Sequence, residues 1–74
     1  MLKEKRKAAH ITQEELSARS GISIRTIQHY EQGTLEIDNS TLKTIVALAL
    51  ALDCPIRDLL TDKKLLADVK KVRL

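Results

Sequence analysis

The sequence predicts an all-α fold: a small bundle of five helices followed by a possible short C-terminal helix. Three observations carry that prediction. Apolar residues recur at helical spacing, and no run alternates apolar and polar residues as a half-buried strand would. Only Gly21, Gly33 and Pro55 punctuate the 74 residues, leaving long uninterrupted stretches between them. Residues suited to helix caps stand where those stretches begin.

The first helix is predicted over residues 2–9, with Leu2, Arg6 and Ala9 on one side. His10 then takes the position after the helix end, where Gly is usual but His is among the residues that tolerate positive φ. Thr12-Gln-Glu-Glu15 reads as a capping box, the Thr12 hydroxyl serving an early amide and Glu15 reaching back. The second helix therefore starts near Gln13 and runs to about Arg19. Ser20-Gly21-Ile22-Ser23 is a tight connection with Gly21 as its permissive residue, and Ser23 caps a third helix that ends near Gln32-Gly33.

Residues 34–39 read as a loop. The fourth helix follows Asp38-Asn39-Ser40, any of which is a suitable cap, and continues to Leu52. Pro55 suits the first turn of a short fifth helix through Leu60. Residues 63–74 have Leu65, Val69 and Val72 at helical spacing with lysines opposite. The expected organisation is one domain over residues 1–61 and a basic amphipathic extension over 62–74.

Composition narrows the function classes. A domain of this size buries only about 60% of its unfolded surface, so its core is thin. Tyr30 is the sole aromatic residue, so aliphatic side chains must build that core. Cys54 stands alone and cannot form an internal disulfide, and no Cys/His cluster has metal-ligand spacing. The longest apolar run, residues 45–52, is far too short for a membrane span, and charge from Lys3 onward argues against a secretory leader. Glu14-Glu15 is a first-turn acidic pair favoured by the helix dipole rather than a catalytic pair. There is no nucleophile with a plausible base and no phosphate-cradling Gly loop. The expectation is a cytoplasmic protein that is not an enzyme and needs no cofactor or metal.

The net charge of +3 conceals a division. Residues 1–30 carry six Lys/Arg against three acids, residues 31–62 two against six, and residues 63–74 five against one. Basic ends thus flank an acidic middle, and a basic surface favours a polyanion. The cluster Lys3, Lys5, Arg6 and Lys7 serves either solubility or phosphate contact. The tail lysines read as the polar face of a terminal helix.

Two short helices joined by a Gly turn make a helix-turn-helix corner. Leu16, Ile22, Ile27 and Tyr30 supply its apolar contacts, and Ser17 is small where the helices approach. With Ile27 and Tyr30 inward, a 100° step turns Arg25, Gln28, His29 and Gln32 outward, with Ile24 near the helix start. Arg, Gln and His suit base edges and phosphates.

The run Gln13-Glu-Glu-Leu-Ser-Ala-Arg-Ser-Gly-Ile-Ser23, with Thr26-Ile27 and Tyr30-Glu31-Gln-Gly33, resembles the phage-repressor (Cro/XRE-type) helix-turn-helix family. The likeness extends from Leu2-Lys-Glu-Lys-Arg6 to Pro55-Ile-Arg-Asp-Leu-Leu60 and covers about residues 2–60. It implies a compact five-helix, lambda-repressor-like DNA-binding domain. By the same likeness, Gln13 binds a phosphate and braces the reading helix. Ser23, Ile24, Arg25, Thr26, Gln28 and His29 fall at its exposed start, with Arg25 and His29 the best base-contact candidates. Arg6 and Glu31 match a structural ion pair.

Three departures from the family qualify the likeness. The loop after Gly33 is often basic in relatives, whereas here it holds Glu36 and Asp38, leaving Thr34 and backbone amides as its candidate phosphate contacts. Ile24 replaces a polar reader, and either packs or meets a thymine methyl. The fourth helix loses much of its polar stripe, so Ala47 and Leu50 need cover. The tail can supply it, or a second subunit can; Ala47, Leu50, Cys54, Leu65 and Val69 are the dimer-interface candidates. The expected function is sequence-specific binding of double-stranded DNA, as a homodimeric repressor on a palindromic operator, with no small-molecule effector evident. The alternatives are a protein-interaction module on the same fold, such as an antitoxin or accessory subunit with a protein partner, and a non-specific nucleoid binder.

Overall fold

Residues 2–73 are described by the computed structural model, so the predicted helix end at Leu74 lies outside the described residues. Five helices, α1 (Leu2–Ala8), α2 (Gln13–Ser20), α3 (Ile24–Gln32), α4 (Leu42–Leu52) and α5 (Lys63–Lys71), are joined with two single 3-10 turns, Ile37–Asn39 and Ile56–Asp58. No strand occurs among the described residues.

Short-range signals set the first three helices. His10 closes α1 at φ 59°. At the start of α2 the Glu15 amide donates to Thr12 Oγ1 and the Thr12 amide to the Glu15 carboxylate, each at 3.0 Å. The bond from the Thr12 amide above all, and the Thr12 hydroxyl beside it, hold the Glu15 carboxyl below its ordinary range. Gly21 ends α2 at φ 75°, a left-handed conformation that a Cβ penalises. The Ser17 hydroxyl crosses the corner to donate to the Ile22 carbonyl at 2.6 Å. Ser23 then caps α3 by accepting from the Thr26 amide at 3.2 Å. The corner is thus closed by the small polar residues at its ends.

Beyond Gly33 the structure departs from the expected elements. Residues 34–39 are not wholly a loop: Ile37 enters the core and the chain winds into a 3-10 turn around it. The cap of α4 is Thr41, which accepts from the Thr44 amide at 3.2 Å, rather than Asp38, Asn39 or Ser40. Each of those three is otherwise engaged. Asn39 donates to Glu36, the Ser40 hydroxyl pairs with the Tyr30 hydroxyl, and Asp38 reaches the far end of the chain. The fifth predicted helix amounts to one 3-10 turn after Pro55, because Leu59 and Leu60 turn directly into the core.

Leu16, Ile27, Leu48 and Leu59 are fully buried and form the centre of an aliphatic core, completed by Leu2, Ile11, Ile37, Ile45, Ala49, Leu52, Leu60 and Val69. Each fully buried side chain of this kind contributes about 1.5–3 kcal/mol. Tyr30 packs against the edge of the cluster. Val69 brings α5 into the same core, with Leu65 and Leu66 half-buried beside it. Val69 is thus enclosed by its own chain and is not an exposed interface residue.

Asp38 anchors this extension. Its carboxylate accepts from the Thr61 amide at 2.9 Å, the Thr61 hydroxyl at 2.9 Å and the Asp62 amide at 2.7 Å. Asp62 in turn caps α5 through the Lys64 and Leu65 amides. The extension does not cover the outer side of α4, where Leu50 remains 77% exposed. Asp38→Ala is expected to destabilise the domain by about 1–2 kcal/mol. Amide exchange will accelerate most in α5; unchanged exchange there would remove Asp38 as its anchor.

Candidate nucleic-acid interface

The positions of α1, α2 and α3 are tied by one polar chain. The Arg6 guanidinium grips Glu31 with both ends of its fork, Nε to Oε2 at 2.7 Å and Nη2 to Oε1 at 3.0 Å. Its remaining nitrogen donates to the Ile11 carbonyl at 3.0 Å, holding the link between α1 and α2. Gln13, the first residue of α2, donates to Glu31 at 3.1 Å and accepts from Gln28 of α3 at 3.3 Å. The Glu31 side chain is only 4% exposed and that of Arg6 only 12%.

Locking this side of α3 leaves its opposite side open. Arg25 and His29 are exposed, while Ile24, Thr26 and Gln28 are half-buried. Thr26 is drawn onto the cap, its hydroxyl 2.9 Å from that of Ser23. Gln28 is held by Gln13, so the two form a braced pair rather than two independent side chains. The His29 ring lies 2.8 Å from the Thr34 hydroxyl through Nδ1. The structure therefore groups Gln13 with Gln28, Ser23 with Thr26 and His29 with Thr34, and leaves Arg25 projecting from the same helix.

Around this face the charges divide by task. Lys3 and Lys7 are exposed, whereas Lys5 pairs with Asp58 at 3.2 Å. Within the acidic loop, Asp38 is committed to residues 61 and 62, and Glu36 accepts from Asn39 at 3.0 Å. The Asp38 and Thr34 contacts were not foreseen from the sequence. An acid near the start of a loop followed by an acid-capped helix is too common a pattern to pair them in advance.

A helix-turn-helix family model matches residues 2–59, which includes α1 through α4 and the turn at Ile56–Asp58. The chain belongs to the Cro/C1-type helix-turn-helix family. No curated protein and no solved structure matches it. In this Cro/C1-type domain α2 and α3 are the two helices of the motif, and the all-helical bundle is lambda-repressor-like. Membership makes the chain a DNA-binding regulator of the XRE type.

Electrostatics of the motif centre on Glu31. Burial pushes its carboxyl up, but hydrogen bonds from Arg6 and Gln13, with the Arg6 charge, outweigh that and hold it below its ordinary value of 4.5. Glu31 reciprocally raises the Arg6 guanidinium. A carboxylate with a depressed folded-state value contributes stability that is complete above the ordinary value and lost as pH falls through the folded one. Acidification below 4.5 is therefore expected to weaken this Cro/C1-type domain, and Glu31→Gln to flatten that acid limb in urea titrations. Arg6→Met leaves a buried carboxylate unpaired and is expected to cost about 3 kcal/mol, part of which the double substitution Arg6→Met/Glu31→Leu restores. A loss in the double variant equal to the sum of the Arg6→Met and Glu31→Leu losses would show that the pair is not coupled.

Proposed function

We propose that the chain is a cytoplasmic transcriptional repressor that binds duplex DNA sequence-specifically as a homodimer on a palindromic operator. The observation that carries the reading is the asymmetry of α3: one side is locked by Arg6, Glu31, Gln13 and Gln28, while Arg25 and His29 project unburied from the other. A reading helix needs that combination, because base contacts specify only when the helix is held in register. In this reading α3 lies in the major groove. Arg25 and His29 meet base edges, and Ile24, near the start of the helix, packs or meets a thymine methyl. Gln13, Ser23, Thr26, Thr34 and nearby backbone amides meet phosphates, and Gln28 braces Gln13. No helix among the described residues is long and apolar enough to cross a membrane.

The proposed dimer uses the outer side of α4. Leu42, Val46 and Leu50 stand at four-residue intervals and are 56%, 37% and 77% exposed. Beside them lies a shallow groove of about 410 Å³ lined by Leu50, Cys54, Pro55 and Ile56 among others. Burial, with Asp58 nearby, pushes the Cys54 thiol up, so Cys54 acts as a small apolar contact rather than a thiolate. Ala47 and Leu65 are half-buried, and the interface is drawn through Leu42, Val46 and Leu50 with Cys54 at its edge. The same exposed stripe favours a second reading, a protein-interaction module whose apolar face binds a different chain.

Selection from random duplexes tests the first reading. The expected outcome is an enriched palindrome, with Arg25→Ala costing about 1–3 kcal/mol mainly at one base position in each half-site. Light scattering is expected to give a dimer that Leu50→Lys converts to monomer with weakened operator binding. A monomer in the parent protein, no enriched duplex and a stoichiometric protein partner would instead favour the interaction module.

A further inference from the structure

The outer side of α4 carries two charges at the unfavourable ends of its own helix. Lys43, the one charged residue within α4, stands at its second position, beside the positive pole of the helix dipole. Asp53 caps the other end, beside the negative pole, at φ 51° in a position where Gly is usual. Both are exposed. Among the described residues neither meets an opposite charge, the ion pairs being Lys5 with Asp58 and Arg6 with Glu31. The apolar groups are just as unevenly placed. The groove of Leu50, Cys54, Pro55 and Ile56 lies at the C-terminal end of α4, and Asp53 is the one charged residue lining it. Leu42 projects exposed from the opposite end.

We infer that two copies of α4 pair antiparallel about a two-fold axis near the middle of the helix, so that Leu42 of each enters the partner's groove and Lys43 of each faces the partner's Asp53. The inference rests on the homodimer proposed above and gives it a direction. Lys43 and Asp53 stand about 15 Å apart along the helix. A two-fold axis parallel to the helices would set Lys43 against Lys43 and Asp53 against Asp53, like charges at both ends. The antiparallel arrangement sets unlike charges at both ends, and an isologous contact makes each of them twice. It also places every one of these charges beside the favourable pole of the partner's helix. Charges misplaced for one helix are thus well placed for two. This self-complementarity selects a second copy of the chain over a different protein.

Sedimentation equilibrium of the whole chain at low salt, where such pairs are least screened, tests the direction. Lys43→Glu and Asp53→Lys each bring like charges face to face and are expected to raise the dimer dissociation constant about tenfold. The double variant Lys43→Glu/Asp53→Lys is expected to return it to the parent value. Lys43→Glu is the decisive single variant. It lowers the net charge, which by itself favours association, and an acid in the first turn favours α4 within the protomer. A merely structural effect of this substitution therefore has the opposite sign. Asp53→Asn keeps a residue that tolerates the left-handed conformation, and is expected to raise the constant by a smaller factor. Circular dichroism of every variant is expected to match the parent. Unchanged dissociation in Lys43→Glu, as a parallel pair requires, or no recovery in the double variant, would overturn the antiparallel arrangement and leave the dimer standing. A parent protein that stays monomeric would overturn the dimer itself and this inference with it.

Discussion

The arrangement of this domain depends on the ion pair between Arg6 and Glu31. Helices of seven, eight and nine residues have little stability in isolation, so their relative placement must come from tertiary contacts. Aliphatic packing through Leu2, Leu16 and Ile27 brings α1, α2 and α3 together but, being non-directional, sets their rotation loosely. The Arg6 fork supplies the missing direction. It engages Glu31 through two nitrogens and the Ile11 carbonyl through the third, and Glu31 passes the constraint to Gln13 and so to Gln28. A buried ion pair gains little over apolar groups of equal volume once desolvation is counted. Here its contribution lies in geometry: α3 is held by one side while the other stays free.

The same economy of polar groups resolves the acidic middle of the chain. Of the six acids in residues 31–62, Glu31 holds Arg6, Asp38 holds the approach to α5, Asp58 holds Lys5, and Asp62 caps α5. Asp53 stands at the left-handed end of α4, φ 51°. Most of the negative charge therefore serves as fastening, and Glu36, bonded to Asn39, is an exposed acid of the loop after α3. Only Glu31 and Asp58 are offset by cations, Arg6 and Lys5, whereas Asp38 and Asp62 bond to neutral amides and hydroxyls, which fix where the negative charge sits without cancelling it.

What the sequence made legible follows from the range of each interaction. The capping box at Thr12 and Glu15, the left-handed Gly21 and Gly33, the positive φ of His10 and the Ser23 cap all depend on residues within a few positions, and local pattern reading found them. The cap of α4 was not legible, because three suitable residues precede Thr41 and their other partners lie far along the chain. Tyr30 takes Ser40, and Thr61 with Asp62 takes Asp38. Likewise a 100° step identified Arg25 and His29 as outward, whereas the bond between His29 and Thr34 crosses the end of α3, where helical periodicity stops applying. The amphipathic tail was readable as a helix, but periodicity does not say which of two apolar surfaces it covers.

That last choice explains the exposed side of α4. Val69 turns α5 toward the central core, and nothing else among the described residues covers Leu50. An eleven-residue helix with Lys43 and Thr44 as its only polar side chains has too little polar surface to face core and solvent at once. Among the described residues no further apolar segment lies over that side. In the proposed dimer the second copy supplies it, and a two-fold axis sets the same stripe of Leu42, Val46 and Leu50 against itself. The symmetry that covers α4 then also orients two copies of α3, whose centres must lie about 34 Å apart to enter successive major grooves. Completion of the apolar surface and pairing of the reading helices thereby become one requirement, so protomer stability and operator affinity are linked through the same concentration-dependent contact.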